Sequence, residues 1–100
     1  PSFMYKSLSI DVFTETLISH IHEVGKFKTI DLTDAEHKLC LYIHLSYIKS
    51  LCLTLPKEII KQVLYNLNIE EPLIKSILVK TLRDVLEDKK KVITFKRTIN

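Results

Sequence analysis

Three side chains in this 100-residue chain have the types and spacing that metal chemistry uses. His37, Cys40 and His44 stand at i, i+3 and i+7, so on a helix they share one face. Imidazole nitrogen and thiolate sulfur are zinc ligands, and a structural zinc wants a closed tetrahedral set. His20 or His22 could complete it. The spacing follows no zinc-finger pattern, and histidines on an apolar helix more often serve as hydrogen-bonded core residues, so no metal and no cofactor is indicated. The remaining inventory is poor in catalytic signals. There is no GxSxG elbow and no HExxH pair, and a single glycine excludes a glycine-rich phosphate loop. The chain does not read as an enzyme.

Cys40 and Cys52 are twelve positions apart; on one helix that is a rise of about 18 Å, too far for a disulfide. Two buried, reduced thiols in a cytoplasmic protein are expected. No leader pattern is read in the opening residues, where Lys6 is followed by Asp11 and Glu15. The most apolar stretch, 39–55, is interrupted by His44, Ser46, Lys49, Ser50 and Thr54, so no membrane span is expected.

A hydrophobic fraction of 46% and a charged fraction of 27% suffice for one domain, 1–100, with its own core. The net charge of +3 is uneven. Residues 1–50 carry 5 basic and 6 acidic side chains, and residues 51–100 carry 10 and 6. Lys89, Lys90, Lys91, Lys96 and Arg97 close the chain with no acid among them, which suits an anionic partner or a solvated tail.

The elements that must position these groups follow from periodicity. Ile10, Phe13, Leu17, Ile21 and Val24 predict an amphipathic helix over 8–24. Ser7 or Ser9 caps it, and Gly25 supplies a left-handed stop. Its seam can pack inside the monomer or pair two copies as a homodimer through residues 8–24. Residues 27–32 alternate and read as a short strand with Ile30 and Leu32 on one side. Thr33-Asp34-Ala35-Glu36 fits a capping box, opening a helix to about Ser50. Apolar residues lie on nearly every side of that helix, so it is expected to be central and buried, with Tyr42 and Tyr47 in the core; Tyr65 is expected in the core as well. Pro56 opens a third helix buried through Ile59, Ile60, Val63, Leu64 and Leu67. Pro72 opens a fourth, with Ile74, Ile77, Leu78, Leu82, Val85 and Leu86 inward and Ser76, Val79, Lys80, Arg83 and Glu87 outward. The β-branched and aromatic run at 92–99 reads as a strand. The expected fold is mainly α: four helices, one short strand before the second helix and one C-terminal strand.

Residues 32–97, with Leu32-Thr33-Asp34-Ala35-Glu36-His37-Lys38-Leu39 and Lys80-Thr81-Leu82-Arg83-Asp84-Val85-Leu86-Glu87-Asp88-Lys89, resemble a winged helix-turn-helix domain in element order and apolar spacing. The resemblance implies a winged-helix core over 27–98. Its positioning helix would start at Pro56, its recognition helix would follow the turn at 68–72, and strand 92–98 would pair with 27–32. It implies a small cytoplasmic transcriptional regulator that binds duplex DNA. Ser76, Lys80 and Arg83 would face the major groove, with Arg83 able to pair with guanine. Lys57, Lys61, Lys89, Lys90, Lys91, Lys96 and Arg97 would hold phosphates. The sequence departs from that pattern in lacking a turn glycine and a second wing strand. Glu70, Glu71, Asp84, Glu87 and Asp88 also set negative charge beside the proposed contact. That mixture equally suits a helical protein-interaction module (an adaptor, chaperone, inhibitor or immunity-type protein) that binds no DNA. An open apolar face would mark the second reading, and a continuous positive stripe the first.

Overall fold

The computed structural model describes the backbone of residues 2–99 and the side chains of residues 10–91. Four α-helices follow one another: α1 (Ser2–Gly25), α2 (Ala35–Thr54), α3 (Lys57–Tyr65) and α4 (Pro72–Ile99). A 3-10 helix, Thr29–Thr33, joins α1 to α2. The main packing is α1 against α2, with α4 closing on α2 and α3 resting on α4. The core draws on all four helices: Leu17, Ile21 and Val24 from α1, Leu41, Leu45, Ile48 and Cys52 from α2, Ile60 from α3, and Ile74, Leu78, Leu82 and Val85 from α4. Leu55, between α2 and α3, is buried with them. The inward stripe expected on α4 is thus the one it uses. Of the two packings open to the α1 seam, Leu17, Ile21 and Val24 take the one inside the monomer.

Both expected strands are helical, and the described residues contain no sheet. The winged-helix core over 27–98 is therefore not formed, and neither strand-to-strand pairing nor a wing exists. The physical reason differs between the two segments. In 29–33 local polar groups outbid extension. The Asp31 carboxylate accepts the Lys28 N–H at 2.8 Å, and the Thr33 hydroxyl donates to the Ile30 carbonyl at 2.8 Å. The Thr29 hydroxyl donates to Glu71 at 3.0 Å, tying the turn to the entry of α4. In 92–99 nothing stops α4, since no glycine or proline follows Pro72. A lone strand would leave its backbone polar groups unpaired, whereas a helix satisfies its own. β-propensity without a neighbouring strand carries little weight.

Three local expectations shift as well. Asp34, not Thr33, caps α2, its carboxylate accepting the Glu36 N–H at 3.4 Å. The helix then runs to Thr54 rather than stopping near Ser50. Gly25 ends α1 without a positive φ. Its missing side chain matters for space instead, since a Cβ there would stand 2.8 Å from the Ile69 Cδ1.

Candidate functional site

The second helix is apolar on both sides, and only one side is covered. Leu41, Leu45, Ile48 and Cys52 face the core. On the opposite side Leu39 is 61% exposed, Tyr42 61%, Ile43 47%, Tyr47 56% and Leu53 60%. The expectation of a fully central helix with Tyr42 and Tyr47 in the core is overturned, and Tyr65 on α3 is exposed too. The reason is the small number of helices. α1, α4 and the 3-10 helix pack on α2, and among the described residues no element lies over its outer side.

The exposed residues follow helical spacing, so they form one stripe about four turns long. At its middle Ile43, Ser46, Tyr47 and Ser50 line a depression of about 290 Å³. These are positions i, i+3, i+4 and i+7, the four corners of a hole that accepts one side chain from a facing helix. The serines keep its floor low, while Ile43 and Tyr47 form its apolar walls.

Both flanks of the stripe are built. On the α1 side His20 stacks on Tyr47 with ring centroids 5.2 Å apart and planes 9° from parallel. His20 also meets His44 across the α1–α2 contact, Nδ1 to Nδ1 at 3.0 Å, one ring donating and the other accepting. The edge of Phe27 closes on His44. On the α4 side a second hollow of about 340 Å³ is bounded by Tyr42, Ser46 and Lys49 together with Lys80 and Asp84. The stripe is therefore an apolar floor with charged groups along one edge.

The metal candidates do not converge. His37 pairs with the Asp34 carboxylate at the α2 N-terminus, His44 faces His20, and Cys40, expected to be buried, is exposed on the outer side of α2. Among the described residues no group of three or more metal-ligating side chains is assembled.

Of the residues expected to contact nucleic acid, Ser76, Lys80 and Arg83 do share an exposed side of α4. With Lys75, Val79 and Asp84 they line a shallow groove of about 530 Å³. Lys57 and Lys61 are exposed on α3 and share no cavity with that face. Lys90 and Lys91 are exposed near the end of the described side chains, and Lys91 borders a separate hollow with Lys49, Leu53 and Asp88. Lys96 and Arg97 lie outside the residues whose side chains are described.

Lys89 is engaged within the fold. Its ammonium donates to the Leu53 carbonyl at 3.2 Å and to the Leu55 carbonyl at 2.8 Å. A cation thus sits on the last carbonyls of α2, where the helix leaves acceptors unpaired and its dipole is negative. Sequence spacing could not show this, because the partners are 36 and 34 residues away.

A further groove of about 500 Å³ runs between α1 and α3, floored by Ile18, Ile21, Ile59, Val63, Leu67 and Ile69 and rimmed by Asp11, His22 and three side-chain amides. Two groups depart from ordinary ionisation. Burial pushes the Cys52 thiol up to about 11, with the Lys89 charge pulling the other way. The Lys26 ammonium, hydrogen-bonded to Glu23 at 3.1 Å, holds that carboxyl below its usual range. Neither lies on the α2 stripe. Among the described residues no helix is long and apolar enough to cross a membrane. No protein-family model, curated protein or solved structure matches the chain.

Proposed function

We propose that the protein is a helical protein-interaction module that receives a partner helix along the outward face of α2. One observation carries this reading: Leu39, Tyr42, Ile43, Tyr47 and Leu53 stand exposed in a single stripe on a helix whose other face is core. Scattered apolar residues on a surface need no explanation, but a contiguous file of five with a knob-sized hole at its centre does. Tyrosines at such a site bring large contact area with few rotors to freeze. The test is a photoreactive phenylalanine analogue placed at position 47, on the stripe, and at position 65, which is exposed on α3. Cross-linking to protein at 47 and not at 65 supports the reading. Equal or absent cross-linking at both sites refutes it.

A second reading rests on Ser76, Lys80 and Arg83 lining one exposed groove with Lys75: duplex DNA held by the outer side of α4. It expects salt-dependent binding that Lys80→Ala with Arg83→Ala weakens and that Ile43→Ser leaves alone. Absence of duplex binding at physiological salt removes it.

A further inference from the structure

Resting on the interaction-module reading, we infer that the α2 stripe is occupied by the same stripe of a second copy of this chain, running antiparallel. The central line of the stripe is Leu39, Ile43, Ser46, Ser50, spaced four, three and four residues apart. That alternation is the seam of a two-helix coiled coil. In size it reads large, large, small, small, and on reversal it becomes its own complement. An antiparallel two-fold puts Leu39 against Ser50 of the second copy and Ile43 against Ser46 of the second copy, then repeats both contacts by symmetry. Each of these four layers then joins one large side chain to one small one, so Leu39 and Ile43 enter holes floored by serine, as the depression at Ile43, Ser46, Tyr47 and Ser50 allows; the next step of the seam sets Leu53 against Glu36 of the second copy at each end of the contact.

A parallel pair does worse. It sets Ser46 on Ser46 and Ser50 on Ser50, two successive layers with nothing to fill them. The antiparallel pair sets Lys49 opposite position 40 of the second copy, between Tyr42 and Glu36. There its charge meets an aromatic face and a carboxylate. The four layers of the central line carry no charge, and Glu36 meets the seam only at its ends. The surface to be covered is also of the right order: what the five large side chains leave open amounts to roughly 500 Å² per copy, about 1,000 Å² in all, the size at which specific interfaces begin. An isologous contact of this kind closes on itself and gives a dimer, not a fibre.

The experiment is sedimentation equilibrium of the full chain from about 10 μM to about 1 mM, with three variants. Ile43→Ser leaves serine facing serine, and Ser46→Ile sets isoleucine against isoleucine. Each should weaken the dimer about tenfold or more. The double variant Ile43→Ser with Ser46→Ile restores large against small in both layers and should return to within about threefold of the wild type. A double variant no tighter than the singles overturns the antiparallel pairing, and a wild-type chain that stays monomeric overturns the second copy as occupant. The cross-linker at position 47 separates that failure from failure of the module reading. A monomer still captured at 47 by another protein loses only the self-pairing, and a monomer captured by nothing loses both. Because Ile43 and Ser46 lie on the open side of the helix, circular dichroism should show all three variants folded.

Discussion

The outward faces of α2 and α4 are opposite solutions to the same problem. Among the described residues each helix buries four apolar side chains on one side, Leu41, Leu45, Ile48 and Cys52 on α2 and Ile74, Leu78, Leu82 and Val85 on α4. On its other side α4 turns Lys75, Ser76, Lys80, Arg83 and Asp84 to water, the ordinary finish of an amphipathic surface helix. On α2 the corresponding side is Leu39, Tyr42, Ile43, Tyr47 and Leu53, with the two serines between them. Folding the monomer leaves each of those five residues 47–61% exposed. A face that the monomer leaves open and that stays apolar is finished by something else, and here the spacing of large and small residues says what shape that something has.

The sharpest way to break this contrast is a pair of substitutions on α2 alone. Ile48 is fully buried and Ile43 is on the stripe. Ile48→Ala should cost about 2–5 kcal/mol in urea unfolding, because a deleted core side chain leaves a cavity as well as losing transfer energy. Ile43→Ala, measured at a concentration where the chain is monomeric, should cost under about 1 kcal/mol. Equal losses at the two positions would mean that the stripe belongs to the monomer core after all, and the comparison with α4 would collapse.

How far the sequence foretold this arrangement depends on the range of the interaction. The helices themselves were legible: the apolar period places α1, α2, α3 and α4, and Pro56 and Pro72 mark the last two entries. So was the α4 face, where Ser76, Lys80 and Arg83 come out exposed together. The strands were not, because β-branched residues at 27–32 and 92–99 speak only for a sheet that some neighbour must complete, and none does. The α2 stripe was misread for a related reason. A helix apolar on both sides is consistent with a core helix covered everywhere or with one that lacks a cover, and periodicity cannot count the covering elements. Lys89 is the clearest loss. In sequence it is one of three consecutive lysines, and only the fold brings it onto the carbonyls of Leu53 and Leu55.

That lysine supplies the next test. If the basic residues of α4 were all solvated, replacing any one would change stability little. Lys89→Met keeps the aliphatic stem and removes two charge-assisted hydrogen bonds at the end of α2. It should cost about 1–3 kcal/mol, whereas Lys80→Met, on the exposed face, should stay within about 0.5 kcal/mol. Thermal unfolding of the two variants side by side decides it. A Lys89 effect as small as that of Lys80 would return it to the solvated set.

The two cysteines report the inner and outer faces of α2 separately, and they offer the mildest perturbation. Cys40 is exposed and Cys52 buried, so at pH 8 an aromatic disulfide reagent should titrate one thiol in the folded chain and two in denaturant. The burial that shields Cys52 also sets a pH dependence. Its thiol is raised from 9.0 to about 11, so the folded chain holds the proton that the unfolded chain releases first. The unfolded state therefore gains as pH rises, and the contribution of Cys52 is intact below 9 and lost between 9 and about 11. The measurement is a difference between two chains that share every other group. The wild type should lose more stability across that range than Cys52→Ala, which has no proton there to hold. Parallel curves for the two chains would show that water reaches Cys52 in the folded state, and with it the inner side of α2, leaving no contrast between a closed face and an open one.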